Sequence, residues 1–265
     1  MPRDGLAPLL FEIASEERLG ILRALETTPL RHAELSARRA MTGSETTRHL
    51  NRLIAAGLVA KNPEGEYSAT PLARALLQGL PFFDFLAAHH RFALTHDLLA
   101  LPPAFVERLG ELRSATFTNG VYHVVAVQEN ALRAVRRRIW VVTEQRFEQA
   151  LPILREKSGQ GADVRVVRPR ALLEEERRSR SPIARNFPLR FLPEVRLFLA
   201  VLDDQAGICF PSLDGSVDMA TMLLVTDPVG YRWAEELFEL TWSHAQGWPS
   251  PNGATRSPAH GAPTP

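Results

Sequence analysis

Residues 31–70 read RHAELSARRAMTGSETTRHLNRLIAAGLVAKNPEGEYSAT, and their punctuation leaves little freedom in how they fold. Leu35, with Ser36, Ala37 and Arg38, belongs to a short helical stretch that Met41-Thr42-Gly43 interrupts. A second helical stretch follows, in which Thr46, Leu50, Leu53 and Ile54 recur at i, i+4, i+7 and i+8. That spacing lays a stripe along one helix face, turned toward a core. Thr42 or Ser44 can cap its start, because a hydroxyl accepts a hydrogen bond from the open amides of the first turn. Gly57 can close it, because a residue without Cβ takes the left-handed conformation at low cost. Residues 58–61 and 66–69 then read as strands joined by the turn Asn62-Pro63-Glu64-Gly65.

Helix, turn, helix and hairpin in that order make a winged helix-turn-helix, whose second helix enters a DNA major groove. Opposite the apolar stripe lie Ser44, Glu45, Thr47, Arg48, Asn51 and Arg52. Arginine bonds guanine bidentately, asparagine does so with adenine, and hydroxyls reach phosphates or base edges. With Thr42 ahead of the helix and Lys61 and Asn62 on the wing, these are the expected DNA contacts. Residues 31–62 hold six basic side chains (Arg31, Arg38, Arg39, Arg48, Arg52, Lys61) and two acidic ones (Glu34, Glu45). The difference is +4, in a chain whose formal net charge is +1. The plainer alternative is an amphipathic helix with a solvated charged face. Lys61 and Lys157 are the only lysines among 31 basic residues, so one arginine says little. The order of the elements carries the reading.

A chain of 265 residues holds about two domains. Its 45% hydrophobic and 23% charged content is that of a soluble globular protein. One cysteine, Cys209, excludes an intramolecular disulfide and a multi-cysteine zinc site. No apolar run is long enough to span a bilayer, and the start MPRDGLAPLL lacks the charged-then-apolar order of a signal peptide. A cytoplasmic location without membrane attachment is the expectation. A net charge so near zero requires any nucleic-acid binding to come from a local patch.

Ahead of the module, Ser15 followed by Glu16 and Glu17 reads as a helix start, with acids near the positive end of the helix dipole. After it, Thr70-Pro71 opens a helix expected to stop near Gly79 and Pro81. Residues 81–114 are helical by pattern and rich in Phe82, Phe83, Phe85, Leu86 and Phe92. A homodimer interface is the expected cover for so much apolar surface, since twofold half-sites call for a twofold protein. From residue 116 strands alternate with helices. Strands are expected at 122–127, 138–142, 163–167, 196–202, 207–210 and 221–225, and helices at 144–157 and 227–245. The whole reads as an α/β multi-domain chain. A winged-helix domain spans 1–80, a helical linker and dimerisation region 81–115, an α/β effector-like domain 116–246, and a disordered tail 247–265.

The segment SETTRHLNRLIAAGLVAK resembles ArsR-like winged-helix regulators in its polar helix start and its closing Ala-Gly-Leu-Val. HDLLALPPAFVERLGEL, RRRIWVVTEQ, VRVVRP and LLVTDPVGYRWAEELFELTW resemble the archaeal regulators whose second domain is called the methanogenesis regulatory protein middle domain. Trp233, Leu237 and Phe238 fall on the Trp-x-x-x-Leu-Phe ending of that family. The resemblance implies a transcription regulator, an archaeal source, and a second domain that senses a signal or builds the dimer. It also implies, for that domain, an outline similar to phospholipase D-like folds.

A phospholipase D enzyme needs His-x-Lys, because histidine attacks phosphorus while lysine holds its oxygens. None of the eight histidines has a lysine two residues later. A winged-helix methyltransferase needs a glycine-rich loop after a strand, whereas the expected strand at 122–127 is followed by Gln128-Glu129-Asn130. No catalytic residue, no cofactor and no enzymatic activity are therefore expected. The alternative is an enzyme or interaction module that uses the winged helix only to dimerise. His89, His90, His96 and Asp97 could gather a metal if one continuous helix carried them; surface histidines and a linker motif are the preferred reading, with no metal site. Cys209, between Ile208 and Phe210, reads as a small buried hydrophobe. Thr143, Glu144, Arg168 and Arg170 follow strand ends, where open α/β sheets bind ligands. A pocket lined by those arginines would suit an anionic effector, and solvated loops are the alternative. The expected partners are double-stranded DNA, a second copy of the chain, and a small-molecule effector.

Overall fold

The computed structural model describes residues 5–145, 148–178 and 187–248. The chain divides into two compact units, Met1–Phe83 and Asp84–Pro265.

The first unit contains α1 (Leu6–Ile13), α2 (Glu16–Ala24), β1 (Leu30–Arg31), α3 (His32–Arg39), α4 (Gly43–Ala55), β2 (Val59–Lys61), β3 (Glu66–Ala69) and the greater part of α5 (Pro71–Ala88). Local chemistry sets the boundaries. The Ser15 hydroxyl accepts from the Arg18 N–H at the start of α2, with Glu16 and Glu17 in the first turn. At α4 the Thr42 hydroxyl accepts from the Glu45 N–H, while the Glu45 carboxylate accepts from the Thr42 N–H. This reciprocal pair satisfies two amides that helix geometry leaves open. Gly57, at φ 71°, closes the other end. The strands pair antiparallel in the order β1-β3-β2. The wing turns where the Gly65 N–H donates to the Asn62 carbonyl and the Asn62 N–H to that of Glu66. Thr46, Leu50 and Leu53 of the expected stripe are buried, whereas Ile54 is 40% exposed. The buried Thr46 hydroxyl donates to the Thr42 carbonyl and accepts from Ser36 on α3, which links the two helices.

Ala40, between α3 and α4, has φ 50° and ψ 39°, and is the only non-glycine residue with positive φ among those described. A Cβ in that conformation crowds the following carbonyl, at a cost of roughly 1–2 kcal/mol, of which glycine's larger unfolded-state entropy takes back part. Ala40→Gly should therefore stabilise this unit by about 0.5–1 kcal/mol in chemical denaturation. A less stable variant would place the strain elsewhere.

α5 does not stop at Gly79 and Pro81 as expected. It runs through both, with Pro81 inside the helix, where a proline has no N–H to give to the preceding turn. Ala73 and Leu77 before Pro81 and Phe85 after it are buried.

The second unit adds α6 (His90–Ala93), α7 (Pro103–Val106), β4 (Thr116–Asn119), α8 (Val121–Ala134), β5 (Arg138–Val142), α9 (Ala150–Gly159), β6 (Asp163–Pro169), α10 (Leu173–Arg178), β7 (Leu189–Leu192), β8 (Phe198–Val201), β9 (Ala206–Cys209), β10 (Thr221–Val225), α11 (Pro228–His244) and β11 (Gln246–Gly247). Eight strands form one sheet in the order β11-β7-β6-β5-β8-β9-β10-β4. β5, β6 and β7 run parallel and every other neighbouring pair antiparallel. α9 and α10 are the crossovers that parallel neighbours require.

Residues 122–127, expected as a strand, lie in α8. The run is rich in valine, which favours strands, but Val124 is buried while Val125 beside it is 40% exposed. Tertiary packing overrides the propensity. The true first strand, β4, is short and polar, and pairs antiparallel with β10. α9 starts at Ala150 rather than at 144, with Pro152 in a first turn that needs no N–H from it. Of residues 81–115, expected as a linker and dimerisation region, those from Asp84 onward belong to this unit. Phe92 packs against Phe117 and Phe210 at ring-centroid distances of 4.9 and 5.4 Å. Trp233 Nε1 donates to the Phe105 carbonyl at 3.3 Å, and Arg108 bridges Glu111 and Glu236. Asp227 caps α11 ahead of Pro228, as the sequence indicates. Gly247, expected to open the tail, pairs with Arg190 in β11, and Trp248 meets the Phe191 ring at 5.8 Å. Residues 249–265 of that tail lie outside the described residues.

Candidate nucleic-acid interface

α4 presents Ser44, Glu45, Thr47, Arg48, Asn51 and Arg52 on its exposed side. Their internal bonds separate them. Thr42 and Glu45 are engaged in the cap, and Ser44 Oγ lies 3.2 Å from Thr42 Oγ1. Hydrogen bonds from Thr42 hold the Glu45 carboxyl below its ordinary pKa, so the capping charge persists. Thr47 Oγ1 donates to the Gly43 carbonyl and lies 3.0 Å from His32 Nε2. Arg48 and Asn51 are exposed, and no side-chain hydrogen bond or ion pair ties either to another described residue. Arg52 differs. Its guanidinium grips Glu12 of α1 bidentately, at 2.7 and 3.1 Å, and lies 5.4 Å from the Phe11 ring centroid. The Arg52 hydrogen bond holds the Glu12 carboxyl below its usual range. Arg52 thus braces α4 against α1, beside the buried Arg18, which donates to the Phe11 and Glu12 carbonyls at the end of α1.

On the wing, Lys61 Nζ sits 5.3 Å from the Tyr67 ring centroid. Asn62 is an exposed structural residue: its side-chain oxygen accepts from the Glu66 N–H and its amide donates to the Glu66 carboxylate. His49, inside α4, is held below its ordinary pKa first by burial and then by the Arg48 charge. Pattern reading missed the contact of Arg39 on α3 with Gly20 of α2. A Cβ at Gly20 would stand 2.2 Å from the Arg39 guanidinium, so the glycine lets that cation lie flat on α2. A glycine inside a helix was the available signal.

In the second unit, His89 and His96 have different surroundings. His96 is buried, with Nε2 3.1 Å from Asp218 Oδ2 and its ring stacked on Phe92. Asp97 caps the turn at Leu98–Ala100. His89 packs edge-on against Phe85 and Phe117. Among the described residues no three His, Cys, Asp or Glu side chains gather. Burial pushes the Cys209 thiol up to about 12, as suits a core residue.

The four ligand candidates do not converge. Thr143 and Arg168 line a cavity of about 100 Å³. Glu144 is exposed at the loop, and Arg170 turns away to donate to Gln246 at 2.7 Å. Arg168 is 1% exposed and paired with the equally buried Glu176 carboxylate. Of the two arginines, Arg168 lines the cavity and Arg170 does not. The chain's Gly-x-Gly, Gly159-Gln160-Gly161, ends α9 ahead of β6. A dinucleotide or methyl-donor loop must instead leave a strand and open a helix.

Residues 15–61 match the arsR family of bacterial regulatory proteins. That span runs from the cap of α2 to the end of β2, so the first unit carries an ArsR-like winged helix-turn-helix. No curated protein matches the chain. Among solved structures it is similar to TrmBL2, an archaeal chromatin protein described as showing a novel mode of DNA binding. The identity there is 14%, over 91% of this chain and 99% of that one, at a TM-score of 0.42. It is also similar to Nuc, a phospholipase D family member from Salmonella typhimurium, at 13% identity over 52% of this chain and all of that one, with a TM-score of 0.40. CalO1, a methyltransferase in calicheamicin biosynthesis, overlaps 70% of this chain and 62% of its own at 17% identity and a TM-score of 0.25. At these scores the overlaps are loose, and the match over 15–61 is what assigns the first unit. No described helix is long and apolar enough to cross a membrane.

Proposed function

We propose that this chain is a cytoplasmic, non-enzymatic transcription regulator that binds double-stranded DNA as a homodimer. α4 enters the major groove, and the second unit answers a small-molecule effector or stabilises the dimer. The observation that carries the reading is the exposure of Arg48 and Asn51, without internal partners, on the second helix of an ArsR-like module. Side chains that must bond bases are kept out of intramolecular bonds. Thr42, Ser44, Glu45 and Thr47 set the helix start against the backbone of the duplex, and Lys61 and Asn62 bring the wing to a phosphate. Arg52 holds the recognition helix in place through α1 and reaches DNA only by leaving Glu12. Dimerisation is supported by apolar groups left in solvent on the same unit: Leu6, Leu10 and Phe11 of α1, and Phe83 of α5.

Arg48→Ala should weaken binding to a selected duplex by about 1–3 kcal/mol, roughly 5- to 150-fold, with an unchanged melting curve. If Arg48 contacts phosphate instead, the loss is uniform across sequences and the salt slope falls by about 1. A folded Arg48→Ala protein that binds as tightly as the parent contradicts the assignment of α4.

A further inference from the structure

We infer that the second unit binds a small, neutral, mostly apolar molecule in the cavity between α8, α9 and the sheet. The inference rests on the regulator reading only in calling that molecule an effector. Protein interiors leave few voids larger than a water molecule, yet here about 100 Å³ stands open. An apolar cavity of roughly 150 Å³ stays dry and accepts benzene, so this one suits a single ring or a short branched chain. Its walls are Val125 and Leu132 of α8, Leu154 of α9, Val166 of β6 and Met222 of β10. Such surfaces gain from a hydrocarbon, while Gln128, Thr143 and Gln205 supply polar groups at the margins of a mostly apolar lining.

The polar end decides the charge of the ligand. Arg168 reaches the lining from the end of β6, is 1% exposed, and is paired with the buried Glu176 carboxylate. The Glu176 carboxylate offsets the Arg168 charge, and Glu129 is a further carboxylate in the lining. A carboxylate brought beside the pair would add an uncompensated buried charge, which is costly, whereas a hydroxyl or carbonyl oxygen adds none. The roof is suited to admit a guest. α8 is rich in β-branched residues, which are weak helix formers, and Val124 is its one fully buried side chain. Val127, Ala131 and Leu132 pack against the core while still partly exposed, so this helix loses less on opening than a fully buried one.

The test uses the full chain without DNA, with toluene and phenol as neutral probes and benzoate as the anionic one. Calorimetry should find one site per chain for a neutral probe. At ten times Kd that probe should raise the unfolding midpoint of the second unit by about 3–6 °C. Benzoate should bind at least about tenfold more weakly, the equivalent of one uncompensated charge at modest cost. Ala131→Leu, which extends a side chain from α8 into the void, should abolish binding while near-ultraviolet dichroism is kept. If that variant does not fold, Ala200→Val does the same from the sheet floor. Three results would each overturn the inference: no shift with either neutral probe up to its solubility, benzoate binding as tightly as phenol, or undiminished binding in a folded, filled variant. Failure to bind DNA would overturn the regulator reading and leave these binding results standing.

Discussion

Phe92→Asp should unfold the second unit. Phe92 is 7% exposed, stacks on His96 at 4.1 Å and meets the rings of Phe117 and Phe210. Removing a buried phenylalanine costs about 3–5 kcal/mol before any charge is added. Placing a carboxylate among those rings adds the penalty of an unpaired buried charge. Domains are stable by only about 5–15 kcal/mol, so the sum is a large part of the whole. Denaturant unfolding followed by near-ultraviolet dichroism should show the transition of the second unit shifted far down or absent. The first unit has an apolar core of its own, built on Ile21, Leu22, Leu35, Leu50 and Leu53, and its transition should remain. A Phe92→Asp protein as stable as the parent would place Phe92 outside the core.

Phe83→Asp should do the opposite: spare the fold and break the assembly. Phe83 is 58% exposed, and its described ring contact is with Phe82 at 5.4 Å. A surface change of this kind moves folding stability by no more than about 0.5 kcal/mol. As the centre of a dimer interface it would instead cost about 2–4 kcal/mol of association, a rise in the dimer dissociation constant of roughly 30- to 1000-fold. DNA binding should fall with it, because a monomer offers one recognition helix where the dimer offers two. Sedimentation at micromolar concentration reads the effect. A parent chain that is monomeric and still binds its operator, or a Phe83→Asp dimer as tight as the parent, would remove the dimer from the proposal. The structure also divides the apolar residues that suggested a dimer. Phe85 and Phe92 are buried within their own chain, while Phe83 and Leu99 remain exposed.

What the sequence disclosed follows the range of the forces involved. The ends of α4 and the wing turn were legible because their determinants are local: Thr42 and Glu45 three apart, Gly57 at a helix end, and Gly65 at φ 85° in a four-residue turn. The outward side of α4 was legible from its period. The fate of Arg52 was not, because Glu12 lies forty residues away on another helix. Residues 122–127 carry a strand-like pattern because valine favours strands, and only the packing of Val124 shows the helical face. Residues 81–115 read as a linker because the partners of Phe92, Phe117 and Phe210, lie further along the chain. The cavity was hidden for the same reason, since its lining comes from helices and strands that only the crossovers bring together. The carboxyl ends of parallel strands point to Thr143 and Arg168, whereas Glu176 on α10, which pairs with Arg168, carries no such local signal.

Footprinting of the full chain on a duplex selected from genomic fragments tests DNA binding through α4 at its source. Two protected tracts should appear on one face of the duplex, about one helical turn or roughly 34 Å apart. Their affinity should fall linearly in log–log terms with added salt as counterions are released. Protection of both tracts by Arg48→Ala should require roughly 5- to 150-fold more protein than the parent needs. If no fragment is enriched, or if protection is indifferent to Arg48 and to salt, α4 is not a recognition helix.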